Sequence, residues 1–449
     1  MKRYIIVLLV GMLFLPSCSL YKKYESNATV DERIMGDVVD SQDSTSMGDL
    51  DWRDIFTDPL LQNLINTALA NNTDMRTMQL TIEQAQNSLK AAKWGYAPTF
   101  AFAPQATFTN LGGNNSNSIL IPVTASWQLG IFGQTRSQIR KSKSQLEYYQ
   151  DYRQAVQVSL AANVANIYYS LVMLDHELEL AEYFEKLYEE SYNSTQALYQ
   201  AGIYNSPAVY QMEASLEEVR IDIVDLRNSI ITTEASLCQL LAEPPHHIER
   251  AAFGEFKMPE QIHIGLPARL LDARPDVRMA ERNMEIAYYS TQQAKQDYYP
   301  NISIDALVGF SGTVDALDFI AQAVGSLVQP IFQGGQLNAQ LRNAKKDQEK
   351  AQLEFVQTLY DAGSEVYQYL NNCRTAEEKA EHIELRVNAL QEAYSATTEL
   401  MNNGNTTYLE VLTAQESLLS AEFTMVQNRY EMIQALINLY SALGGFGTK

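Results

Sequence analysis

The chain has 449 residues, 46% of them hydrophobic, enough for two or three ordinary domains with an extensive buried core. Its 54 acidic and 33 basic side chains give a formal charge of -21, which argues against nucleic acid as a partner, because phosphate binding needs a basic surface. The same balance suits a soluble periplasmic body or a lumen that favours cations.

At the N-terminus, Lys2 and Arg3 precede the apolar run Tyr4 to Leu15, which ends at Leu15-Pro16-Ser17-Cys18. This is the pattern of a secretory signal over residues 1–17, and the run is shorter than the about 20 apolar residues of a bilayer-spanning helix. The Leu-x-Ser-Cys ending resembles a bacterial lipobox, although Pro16 departs from the usual small or branched residue there. Cys18 would then be the acylated first residue of a polar, lipidated tether over residues 18–58. The remaining cysteines, Cys238 and Cys373, sit in helical patterns among apolar neighbours, as small core residues do. His246, His247 and His263 lie in a Pro-rich connector without metal-ligand spacing, so neither a metal nor another cofactor is expected.

From there the chain repeats itself. Asn72-Thr-Asp-Met-Arg76 aligns with Arg274-Pro-Asp-Val-Arg278 at an offset of 202, which also pairs Tyr96 with Tyr298, Pro98 with Pro300 and Gly202 with Gly404. Such persistence marks a tandem duplication, with a first repeat over residues 59–242 and a second over 274–443. Each repeat reads as helix, two strands, long helix, turn and returning helix. Residues 243–273 are the inter-repeat connector, read with residues 19–58 as a lateral collar or tether, and 444–449 form a C-terminal tail.

The opening helices run from Pro59 to Trp94, with Asn72 and Asp74 able to cap a helix after a short leading segment, and from Pro275 to Asp297. Strand pairs follow at about 98–130 and 300–332. Phe100, Phe102, Ala106 and Phe108 alternate with polar or small residues, as do Ile119, Ile121, Val123, Ala125, Trp127 and Leu129. Ile302, Ile304, Ala306, Val308 and Phe310 repeat the pattern, whereas the fourth strand, about Phe319 to Val328, alternates poorly. One apolar face on strands of about ten residues is the signature of a membrane sheet, with a soluble sandwich edge or lid as the alternative. Trp94, Tyr96, Tyr298 and Tyr299 would form its interfacial belt.

The long helices, Gln134 to Ala201 and Gln336 to Asn403, would each extend about 100 Å. Leu160, Val164, Ile167, Leu171, Leu174, Leu178 and Ala181 mark a coiled-coil seam. Gly202 and Gly404 stop these helices, and returning helices run from Ser206 to Ala242 and beyond Thr407. Two adjacent apolar lines, through Val411, Leu418 and Met425 and through Leu412, Leu419 and Val426, imply a wall of helices rather than one partner. Four membrane strands per chain leave open edges in lipid, so the sheet must be completed by further copies, two giving 8 strands and three giving 12.

Leu270-Leu271-Asp272-Ala273-Arg274-Pro275-Asp276-Val277, followed by Ala280-Glu281, resembles the Leu-Leu-x-x-Arg-Pro-Asp-Ile/Val-x-x-Ala-Glu signature of TolC-type outer membrane factors. The Pro-Ile-Phe-Gln-Gly-Gly segment (Pro330 to Gly335), the repeat and the lipobox are similar to that family's efflux lipoprotein branch. The resemblance implies a mainly α chain with membrane β-strands, assembled as a homotrimer with one 12-stranded β-barrel continued by a periplasmic α-helical barrel. It further implies an outer-membrane exit duct for efflux or secretion, docked on a periplasmic adaptor (membrane fusion) protein and an inner-membrane transporter.

Site residues follow from the same resemblance. Glu410 takes one acidic position of the family's periplasmic gate, Thr413 replaces the second, and the first-repeat equivalent of Glu410 is Ala208. The tips Ala201, Gly202, Asn205, Asn403, Gly404, Asn405 and Thr406 are the implied adaptor contacts. Arg274, Pro275 and Asp276 read as structural, since Pro suits a first helical turn and a carboxylate opposes the helix dipole. No nucleophile elbow, phosphate loop or zinc spacing points to an enzyme. A periplasmic coiled-coil adaptor or scaffolding lipoprotein is the alternative.

Overall fold

Helix starts and stops in this chain follow its local chemistry. The computed structural model describes residues 23–25, 46–112, 114–254, 273–313 and 316–446. The signal segment, Cys18, His263 and Leu270-Leu271-Asp272 lie outside them. Helices are α1 (Trp52–Ile55), α2 (Pro59–Asn71), α3 (Thr73–Trp94), α4 (Gln134–Gln200), α5 (Ser206–Leu241), α6 (Pro275–Gln296), α7 (Gln336–Asn402) and α8 (Tyr408–Ala442). Strands are β1 (Thr99–Phe102), β2 (Gln105–Leu111), β3 (Asn114–Leu129), β4 (Asn301–Thr313) and β5 (Ala316–Val328). Among the described residues no helix is long and apolar enough to cross a membrane.

The opening helix expected over 59–94 divides at Asn72. The Asn72 Oδ1 accepts from the N–H groups of Asp74 (2.8 Å) and Met75 (3.4 Å), which satisfies the first turn of α3 and lets the chain restart there.

The chain forms two compact units. The first comprises Met1–Ala28, Leu80–Asp151 and Arg278–Gln357; the second comprises Thr29–Gln79, Tyr152–Val277 and Thr358–Lys449. The first holds the antiparallel sheet, in the order β1–β3–β4–β5, with β2 also on β3. Two hairpins are thus joined through β3 and β4, which pair from Ile119↔Gly312 to Leu129↔Ile302. Strands β1 and β2 share one register on β3, Phe102↔Val123 and Gln105↔Leu120. They are separated only at Ala103-Pro104, opposite Pro122, where neither proline has an N–H to donate. The fourth strand, poorly alternating in sequence, is a full partner of β4 from Asn301↔Val328 to Thr313↔Ala316.

At the base of the sheet, Trp127 Nε1 donates to the Tyr96 carbonyl (2.8 Å) and Gln329 Nε2 to the Tyr298 carbonyl (2.9 Å), equivalent pairs at the offset of 202. Arg278 binds Asp151 (2.8 Å), and Arg282 lies 3.3 Å from Glu147, tying α6 to the start of α4.

The second unit is a bundle of the distal parts of α4 and α7 with α5 and α8. Its core includes Phe184, Tyr188, Met212, Leu216, Leu412 and Leu418. Cys238 and Cys373 are both buried. Of the predicted α4 seam, Leu160, Val164, Leu171 and Ala181 are buried. Phe56 from the N-terminal segment stacks on Phe446 (5.5 Å), and Tyr440 donates to the Leu50 carbonyl (2.6 Å), so residues 46–58 are fastened to the end of α8.

Gly309 lies opposite Pro122, and an added Cβ would come within 2.1 Å of the Ile121 carbonyl oxygen. Gly309→Ala should part β3 from β4 at a cost of about 1–3 kcal/mol. Thermal unfolding followed by the far-ultraviolet β-signal tests this; an unchanged midpoint contradicts it.

Candidate functional site

The sheet has two chemically distinct faces. Phe100, Phe102, Phe108, Val123, Trp127, Ile304, Val308, Phe310, Leu317, Phe319 and Leu327 share one, and all are exposed. The other carries Thr99, Gln105, Thr107, Thr124, Ser126, Gln128, Ser303, Asp305, Gln322 and Ser326. It also carries Ile320, Val324 and Val328, which is why β5 alternates poorly.

At the helical turns, Gly202 (φ +76°) and Gly404 (φ +73°) take left-handed conformations that avoid a Cβ clash. Ile203 N–H bonds the Leu198 carbonyl (2.9 Å), and Gly202 N–H bonds that of Tyr199 (2.9 Å). Asn405 and Gly404 repeat both bonds on Leu400 and Met401, each at 2.9 Å. These are paired Schellman caps. Asn205 then caps α5, its side chain accepting from the Ala208 N–H (3.4 Å). Ala201, Gly202, Asn205, Asn403, Gly404 and Asn405 are exposed, and Thr406 is half-buried.

Glu410 is exposed in the first turn of α8, opposing the helix dipole and accepting a hydrogen bond from Thr406 Oγ1. Thr413 is also exposed, its hydroxyl donating to the Leu409 carbonyl (2.8 Å). The equivalent of Glu410, Ala208, is buried, so of these two equivalent positions only one carries a carboxylate. Sequence reasoning passed over Tyr408 and Gln211. The Tyr408 ring meets Tyr204 edge-on at 5.5 Å and its hydroxyl donates to Gln211 Oε1 (3.3 Å), joining the two tips. Ser215 donates to Glu416 (3.4 Å) further along the same seam. An aromatic residue in an otherwise small, polar turn was the available signal.

Pro275 opens α6, and Asp276 accepts from the Val277 N–H (2.9 Å). Arg274, almost fully buried, donates to the Ala442 carbonyl (2.9 Å), Asp276 (3.0 and 2.7 Å) and Glu365 (2.6 Å). Burial works against the Arg274 guanidinium charge, but these two carboxylates outweigh it and raise its pKa. Asn72, the equivalent of Arg274, donates to the Leu240 carbonyl (3.0 Å), and Leu240 is itself the equivalent of Ala442. One contact therefore closes both repeats.

Of the connector, residues 243–254 and 273 are described. Arg250 reaches Asp175 (2.5 and 2.7 Å) and Glu234 (2.5 Å), and Phe253 stacks on His176 (4.3 Å). Burial pushes the Glu234 carboxyl up, but hydrogen bonds from Arg250 and the Ile248 N–H hold it below its ordinary value overall. His247 lies 2.9 Å from the same Glu234 carboxylate, and His246 Nδ1 lies 3.5 Å from Cys238 Sγ.

A family profile described as outer membrane efflux protein matches residues 64–243 and 266–445, two stretches displaced by 202 residues (266 minus 64), like the repeats. The probable efflux pump outer membrane protein TtgC of Pseudomonas putida is 28% identical over 413 residues, covering 88% of this chain and 84% of its own. The probable outer membrane lipoprotein SilC of Salmonella typhimurium is 25% identical over 412 residues, 89% of each chain. The open state of the Neisseria gonorrhoeae MtrE outer membrane channel superposes with a TM-score of 0.82 at 25% identity, over 95% of this chain and 97% of that one.

Arg274→Ala should destabilise the second unit by about 2–3 kcal/mol, because a buried carbonyl loses its charged donor. Arg274→Asn, copying Asn72, should recover part of that loss in thermal unfolding. Equal midpoints for the Ala and Asn variants contradict the shared role.

Proposed function

The chain belongs to the outer membrane efflux protein family, and on that premise we propose that three copies close one 12-stranded barrel above a helical duct. The observation that carries this is the sheet itself. Among the described residues, strands β1, β2 and β5 each have one unpaired side, while the exposed aromatic face suits lipid. In hydrocarbon such edges must be paired, and joining β5 of one copy to β1 and β2 of the next does so all round.

A second observation supports the assembly. Tyr210, Ile221, Val224 and Ile231 on α5 are exposed, whereas their equivalents on α8 include buried Leu412, Val426 and Ile433. The α5 stripe is thus an apolar face awaiting a neighbour, which a second copy supplies.

Cys18 is the proposed lipid anchor. The Tyr24 N–H donates to the Tyr289 hydroxyl (3.4 Å), and the Tyr24 ring packs edge-on against Tyr288 (5.7 Å). Five residues lie between Cys18 and that foothold, a reach of at most about 20 Å. The name of SilC, an outer membrane lipoprotein, agrees with this reading.

The tips Ala201, Gly202, Asn205, Asn403, Gly404, Asn405 and Thr406 are the proposed docking points for a periplasmic adaptor, itself joined to an inner-membrane transporter. Exposed Ile203 and Leu400 beside them offer apolar grip. Cargo class is then set by the transporter. Glu410 is the proposed gate charge, with the Tyr204–Tyr408–Gln211 contact holding the two tips of each copy together.

Membrane-extracted protein should run as a heat-modifiable oligomer of three chains, with a central hole in single-particle images. A monomer without a hole, soluble once Cys18 is removed, would favour the scaffold instead. Glu410→Ala should raise single-channel conductance or alter cation selectivity, and a variant matching wild type in both removes Glu410 from the gate.

A further inference from the structure

Between residues 99 and 129 the chain has no charged side chain, and between 301 and 328 its only charges are Asp305, Asp315 and Asp318. The membrane sheet therefore carries carboxylates and no Lys, Arg or His.

Asp305 sits on the polar face of β4, opposite Ser126 of β3 and Val324 of β5. Its carboxylate accepts from Ser126 Oγ (2.7 Å) and Ser303 Oγ (2.9 Å), and Ser303 Oγ shares a further hydrogen bond with Ser326 Oγ (2.6 Å). One hydroxyl from β3 and one from β4 itself thus hold an exposed carboxylate in one orientation, away from the aromatic face. The charge is thus aimed, and the sheet offers no cation to balance it.

We infer that Asp305 sets the cation selectivity of the membrane part of the duct, an inference that rests on the three-copy channel proposed above. Threefold assembly puts three Asp305 carboxylates at one level around the lumen, the arrangement by which charged rings select ions. Twelve strands about 4.8 Å apart and tilted by about 40° trace a backbone circle roughly 12 Å in radius. Side chains reaching inward leave an ion on the axis about 8 Å from each carboxylate, which matches the Debye length of about 8 Å at 0.15 M salt. The ring therefore acts on passing ions in dilute salt and is screened near 1 M, where that length is about 3 Å. Asp318, which the register places on the same face opposite Ser311, and Glu410, at the helical tips, are the competing sources of selectivity.

The test is the reversal potential of the full-length oligomer in planar bilayers under a potassium chloride gradient. Asp305→Asn keeps the shape of the side chain and an oxygen for the serine hydroxyls. It should lower the potassium-to-chloride permeability ratio at least about twofold near 0.1 M salt, with conductance retained and the difference from wild type gone near 1 M. Ser326→Cys, treated in the assembled pore with a cationic thiol reagent, should lower the ratio likewise while leaving Asp305 in place; Cys238 and Cys373 are buried. Conducting Asp305→Asn pores with the wild-type reversal potential overturn the inference but leave the duct intact, and the more so if Glu410→Gln alone abolishes selectivity. A wild-type protein that forms no conducting pore overturns the duct, and this inference with it.

Discussion

Every backbone N–H and C=O that enters hydrocarbon must find a partner within protein, and the rest of this molecule is organised around that requirement. Strands β3 and β4 meet it on both sides, since each lies between neighbours. Among the described residues, strands β1, β2 and β5 meet it on one side only. Several kcal/mol for each unpaired group makes a lone copy in lipid untenable. The break at Ala103-Pro104 falls where prolines have nothing to donate, so the interruption costs the ladder little.

The duplication shows which contacts the architecture needs and which residues are interchangeable in making them. Asn72 and Arg274 differ in charge and size, yet each donates to the carbonyl at the end of its own repeat's returning helix, 168 residues away. Trp127 and Gln329 share nothing but a donor, and both reach the carbonyl of an equivalent tyrosine. A carbonyl left over at a helix end or turn needs a hydrogen bond, and the chemistry of the donor is secondary.

Where the repeats diverge, the divergence is in what they bury. Helices α5 and α8 align residue for residue, but Ala208 is buried where Glu410 is exposed, and Tyr210 is exposed where Leu412 is buried. Two copies of one helix have taken different environments, so this pair of equivalent positions presents one carboxylate rather than two. The tips themselves hardly differ, because the left-handed glycine and its two backbone hydrogen bonds recur in both.

Much of this was legible in the residues alone. Gly202, Gly404 and Pro275 end or begin helices by local backbone chemistry, which needs no distant partner, and a period-two pattern through Phe100 to Phe108 or Ile302 to Phe310 reports a two-faced strand wherever it folds. The 202-residue offset and the Arg-Pro-Asp motif carried the architecture and the family. Only the tertiary structure decided the pairing of β3 with β4, the full length of β5, the reach of Arg274 to Ala442 and Glu365, the meeting of Tyr408 with Gln211, and the hydroxyl cradle around Asp305. Each of these joins groups far apart in the chain, and β5 hid its strand pattern because its polar-face positions are also partly apolar. Local sequence rules report the conformation of a segment; which donor meets which acceptor across the fold depends on packing that no single segment contains.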